Sequence, residues 1–216
     1  MRRAALAAAM LLGSPACAQE TAPQNVAAQE TVPANIRAVI ERTRNPSVDY
    51  TVVHIERVTH DGRTFEQTSA EFERGDMHRV ETASVRVIAN CATGATIAYS
   101  PAEDRIQRSP TDPGACGIAD AEPVQSSRML PPETGPWGRA DVIELTGPDF
   151  VRRYVVTEDG IIVSGSYRPR RPDVRYSVEP LRVVVTRGAP DPAMFEEESL
   201  RRTFAQPLPE TAPPSP

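Results

Sequence analysis

The chain has 216 residues, 24 of them basic and 29 acidic, for a formal net charge of −5. Every basic residue is Arg and Lys is absent, which excludes a Schiff-base lysine, a lysine general base and a P-loop lysine. An acidic chain is also a poor partner for nucleic acid, because sequence-independent binding rests on neutralising phosphates.

Residues 1–18 read as a secretory signal peptide. Arg2 and Arg3 form a positive n-region, ALAAAMLL is the apolar run, and Ala16-Cys17-Ala18 is a small-x-small cleavage site. Cleavage there leaves Gln19 first and 22 Arg against 29 acids, a net charge of −7. The apolar run is too short to span a bilayer, which takes about 20 residues, and no later stretch is long enough. The expected address is therefore the periplasm. Lipoprotein anchoring through Cys17 is the competing reading, disfavoured because Ser14 and Pro15 stand where a lipobox takes an aliphatic and a small residue. With Cys17 removed, Cys91 and Cys116 are left. An even pair in an oxidising compartment is expected to form a disulfide, and the C-x-x-C spacing of a reactive thiol pair is absent.

Residues 19–31 have no period and almost no bulky apolar groups, so they read as a disordered leader. From residue 32 to 43 the pattern becomes helical, with Val32, Ile36, Val39, Ile40 and Thr43 on one face and Arg37, Glu41 and Arg42 off it. Asn45-Pro46 stops this N-terminal amphipathic helix, because Pro disfavours the α region for the residue before it.

Between Tyr50 and Arg108, short runs rich in Val, Ile, Thr, Phe and Tyr alternate with turn clusters, the pattern of an antiparallel meander. Asp61-Gly62 is the strongest hairpin signal. MHRVETASVRVIA reads as one strand. Residues 109–140 carry a high share of Pro and Gly and no period, so they predict a long excursion out of the sheet, pinned by Cys116, with Met129, Leu130 and Trp137 as its anchors into the core or, as the less favoured reading, a cover over a cavity mouth. Strand signals resume in ADVIELT, FVRRYVVT, IIVSGSYR, VRYSVEP and LRVVVTR. Pro180 donates no hydrogen bond to a ladder and predicts a bulge or an edge. The count is about nine or ten strands and one helix in a single mainly β domain over 32–205. Such a sheet has to curl into a half-barrel to hide its faces. Residues 206–216 are Pro-rich and read as a disordered tail.

No catalytic signature emerges. His54, His60 and His78 show no metal-ligand spacing, SGSYR lacks the nucleophile-elbow pattern, and neither a metal nor a cofactor is implied. Arg168, Arg170, Arg171 and Arg175 cluster at one turn. They are candidates to bind an anionic group, against the plainer reading of a solvated turn neutralised by acids such as Asp173.

GDMHRVE followed by VIANCATGATIAYSPAEDRIQR, and VVTEDGIIVSGSYR through LRVVVTRGAPDPAMFEE, are similar to segments of the LolA/LolB lipoprotein-carrier superfamily and its RseB-type sensor relatives. The resemblance covers most of residues 32–196. It implies a curved antiparallel sheet around an apolar cleft, and a non-enzymatic carrier or sensor for an acyl chain, lipid or lipidated partner. Contact with the membrane surface or with another envelope protein would accompany either role. Candidate cleft residues are Val53, Ile55, Phe72, Val85, Val87, Ile97, Tyr99, Ile143, Leu145, Val155 and Ile162. The alternative is a structural or protein-interaction module of the envelope with a filled core.

Overall fold

The computed structural model describes residues 32–111, 113–118, 123–173 and 175–204. The expected signal peptide, leader and Pro-rich tail lie outside these residues. The described helix, α1, runs Ala34–Arg44, so it stands inside the chain, beyond residues 1–31, rather than at its N-terminus. Its buried residues are Ile36, Val39, Ile40 and Thr43, four of the five positions that the helical period puts on one face.

Eleven strands follow: β1 Tyr50–His60, β2 Arg63–Arg74, β3 Met77–Glu81, β4 Arg86–Asn90, β5 Ala95–Ser100, β6 Arg105–Pro110, β7 Ser126–Gly135, β8 Gly138–Thr146, β9 Phe150–Thr157, β10 Ile162–Pro169 and β11 Tyr176–Arg187. They form one open antiparallel sheet in the order β6-β5-β4-β3-β2-β1-β11-β10-β9-β8-β7. The chain lays down one wing outward from β1, crosses to the far edge, and returns to close against its own first strand.

The strand count differs from nine or ten for three local reasons. MHRVETASVRVIA breaks at 82–85, where the Thr82 hydroxyl accepts from the amides of Ser84 and Val85 and bends the chain. The Pro/Gly-rich stretch at 109–140 does not stay outside the sheet, since residues 126–135 form edge strand β7 despite Pro131 and Pro132. There the ladder slips between Leu130 and Glu133, and an edge strand tolerates missing donors. VRYSVEP and LRVVVTR, by contrast, fuse into β11. A register shift beside Pro180, which stays opposite Glu56 while Leu181 is skipped, makes a bulge in the middle of the sheet. The Asp61-Gly62 hairpin is as expected, with positive φ at both residues (49° and 75°).

Cross-strand register assigns side chains to two sides. On one, Ile36, Val39 and Ile40 of α1 pack with Ile118, Ile143, Leu145, Tyr154 and Val156. We call this the helix side. Two close approaches fasten the helix. Gly117 has φ +104°, and a Cβ there would lie 2.7 Å from the Thr43 carbonyl oxygen. Gly160 passes so near Arg42 that a Cβ would collide with its carbonyl. On the far side, residues 191–204 cover β2 to β5. Met194, Phe195 and Phe204 pack with Val53, Ala70 and Phe72, and Leu200 packs with Ile88, Ile97, Tyr99 and Ile106.

The far side also holds a buried ion pair. Arg79, 0% exposed, bonds Glu81 and reaches the Ser199 hydroxyl and the carbonyls of Met194, Ser199 and Arg202. Glu81 in turn accepts from Thr203 and from the amide of Phe204. Full satisfaction by the covering segment is what makes a charge tolerable at this depth.

Candidate functional site

A cleft of about 270 Å³ opens on the helix side, where the two wings of the sheet meet around β11. β1 presents Tyr50, His54 and Glu56; β2 and β3 present Glu71, His78 and Val80; β9 and β10 present Arg152, Tyr154, Ile162 and Tyr167. These residues share a side because strand periodicity is two and the registers align them: Tyr50 opposite Glu73, Glu73 opposite His78, and Tyr167 opposite Arg152. The loop bearing Gly114, Gly117 and Ile118 roofs the cleft. It is held there by the Cys91–Cys116 disulfide, with Cα atoms 5.8 Å apart, and by the amide of Ile118 donating to Thr43 Oγ1 at 3.0 Å.

The polar groups at the closed end are mostly engaged with one another. His78 Nδ1 lies 2.5 Å from Glu73 Oε2. Burial alone would lower the His78 imidazole, but the bond to Glu73 and the charges of Glu71 and Glu73 more than offset it, so its pKa is raised. Glu71 comes within 4.0 Å of His54 Nε2. Glu56 accepts from Gln67 and Ser69. The hydroxyls of Tyr154 and Tyr167 are 3.2 Å apart. Burial, then the neighbouring Tyr154, pushes the Tyr167 phenol up, so it stays a neutral donor. Arg152 is the exception: it is 4% exposed, and its Nε and Nη2 have no hydrogen-bond partner.

The rim is apolar. Beyond Glu56, β1 continues to Val58, which sits between Phe65 of β2 and Val178 of β11, and Val178 is opposite Tyr167. Tyr176 pairs with His60 and stacks edge-on against His60 and Phe150. Phe65 is 47% exposed and Tyr176 38%. The rim shares the cleft's side of the sheet, since Val58 follows His54 and Glu56 at the same phase of β1 and Val178 is opposite Tyr167.

The candidate cleft residues of the sequence analysis do not form one lining. Ile162 lines this cleft. Ile143 and Leu145 lie beneath α1, and Val155 belongs to the neighbouring cluster around Tyr50 and Val52. Val53, Phe72, Ile97 and Tyr99 are on the far side under residues 191–204. Ile55 shares that side by register with Thr68 and Arg182. Val87 faces the helix side opposite Val80, and Val85 sits in the turn before β4, its amide bonded to Thr82. At the Arg-rich turn, Arg168 approaches Glu144, Arg170 bonds Gln125 and the Gly147 carbonyl, and Arg171 bonds Asp149 and Asp173. Arg175 is exposed. Sequence reasoning passed over Arg152 and weighed His54 and His78 only as metal ligands. The available signal was a polar residue among apolar ones at the in-facing phase of a strand: His54 and Glu56 between Val52 and Val58, and Arg152 beside Tyr154 and Val156.

No protein-family model and no curated protein matches the sequence. The fold is similar to several solved structures. An uncharacterized conserved protein from Thermus thermophilus shares 13% identity at a TM-score of 0.49, over 80% of this chain and 97% of that one. A LolA-superfamily protein from Nitrosomonas europaea shares 11% at 0.39, over 76% and 98%. The Pseudomonas aeruginosa MucA/MucB complex shares 13% at 0.47, over 84% and 68%. The structural neighbours thus include the LolA superfamily and MucB, the group to which the sequence shows a resemblance.

Proposed function

We propose that this protein is a binding module of the cell envelope that holds a small amphipathic ligand, as a carrier or sensor and without transforming it. The reading rests on one observation: the helix-side cleft has a buried polar end at Arg152 and His78, and exposed Phe65 and Tyr176 lie beyond its lining on the same side of the sheet by register with β1. At about 270 Å³ the cleft falls just below the roughly 300–1,000 Å³ of typical small-molecule sites. It suits a head group, with the apolar part of the ligand lying across the rim. This departs from the wholly apolar cleft that the sequence resemblance implies, because most of the apolar surface is covered by α1 and by residues 191–204. The expected signal at 1–18 and the disulfide support a periplasmic setting.

The test is titration of the folded protein with an environment-sensitive acyl probe carrying an uncharged head. Saturable binding at micromolar concentration is expected, weakened about tenfold or more by Phe65→Glu, which removes apolar contact at an exposed position and places a charge there. The covered apolar faces favour a second reading, a protein-interaction module with a filled core. Absence of saturable binding by any amphiphile would establish that reading over the first.

A further inference from the structure

We propose that Arg152 is the head-group residue of this cleft and that it selects an acidic amphiphile, one ending in a carboxylate or a phosphate. The inference rests on the ligand-binding reading above. Two independent facts carry it. Arg152 is all but fully buried and lines the cleft, so its charge has been taken out of water. Its unpartnered atoms are Nε and Nη2, the two nitrogens whose N–H bonds lie along one edge of the guanidinium plane. That edge is the fork that receives two oxygens of one acid in parallel. An unpaired buried N–H is costly, and a charged one more so. A ligand that supplies both acceptors removes that cost at its own binding step.

The acids in the same cleft do not meet this demand. Glu56 is held by Gln67 and Ser69, Glu73 by His78, and Glu71 turns toward His54. None of them bonds Arg152 at Nε or Nη2. They repel an anion anywhere in the cleft, so the acid is preferred only through the two parallel bonds that the fork supplies. Tyr167, opposite Arg152 across β10 and β9, lines the same cleft with a neutral hydroxyl, 3.2 Å from that of Tyr154. Exposed Phe65 and Tyr176 lie on the same side of the sheet, so a ligand with its acid at Arg152 has an apolar surface on that side for its chain.

Calorimetric titration of the intact protein with decanoate, decyl phosphate, decanol and inorganic phosphate tests this. The wild type is expected to bind decanoate or decyl phosphate at least about tenfold tighter than decanol, the factor set by one hydrogen bond to a charged group. Arg152→Gln is expected to erase that difference. Arg152→Lys, which keeps the charge without the fork, should lose part of it. Should Arg152→Gln fail to fold, the wild-type acid-to-alcohol ratio still decides. Equal binding of acids and alcohol, or an acid preference that survives in Arg152→Gln, overturns the assignment while leaving the cleft reading intact. Inorganic phosphate bound as tightly as decyl phosphate would keep the anion site and overturn the amphiphile. Binding of none of the four overturns both.

Discussion

His78 and Arg79 are chain neighbours on opposite sides of β3, and both are buried. Strand alternation guarantees that they diverge; only the layers on either side explain why neither reaches water. On the far side Arg79 is satisfied by residues more than a hundred positions away. On the helix side His78 depends on Glu73, with Glu71, His54, Tyr50 and Arg152 also facing the cleft. Because the folded pKa of His78 is raised above 6.5, the folded state binds the proton more tightly than the unfolded one. The stabilisation is therefore complete below about 6.5 and is lost as pH rises through the folded value. Denaturation midpoints measured across that window should fall with rising pH in the wild type and show a shallower slope in His78→Gln. An imidazole resonance titrating below 6.5 would contradict the assignment.

Among the elements, α1 was the most legible, since a 3.6-residue apolar period is a property of local sequence and the face it names is the face that is buried. Ile40, 4% exposed and packed in the cluster with Ile143 and Tyr154, should cost about 2–5 kcal/mol when cut to Ala. A denaturant midpoint unchanged by Ile40→Ala would mean that the helix is no part of the core. β7 was illegible for the converse reason. Pro131 and Pro132 read as breakers, but an edge strand bonds a neighbour on one side only, and the ladder skips both residues. The break between β3 and β4 hides behind continuous alternation. Thr82, Ser84 and Val85 are ordinary strand residues whose local hydrogen bonds decided for a turn.

At the scale of the molecule, the disulfide ties the β4–β5 turn of one wing to the loop that precedes β7 in the other. With the cysteines 25 positions apart, the chain-entropy model gives about 3–4 kcal/mol. The Cys91→Ser, Cys116→Ser double variant should lose about that much in urea denaturation and bind the acyl probe more weakly, because the bridge holds the roof of the cleft. Stability equal to the wild type would show that Thr43 and Ile118 hold the loop unaided.

What the sequence determined by itself was whatever depends on near neighbours or on simple chemistry. That covers the helix face, the Asp61-Gly62 hairpin, the bulge at Pro180, the pairing of Cys91 with Cys116 and the dominance of strands. What only the tertiary structure decided was which side of each strand is covered, and by what. Phe72 and Tyr99 have the same alternating pattern as a cleft lining, yet residues 191–204 fold over them. Nothing in FVRRYVVT singles out Arg152, yet it lies buried opposite Tyr167. The physical reason is that strand periodicity names two faces without saying which is inside. The cover comes from segments distant in sequence, and its position is set by the joining of β1 to β11 at the centre of the sheet.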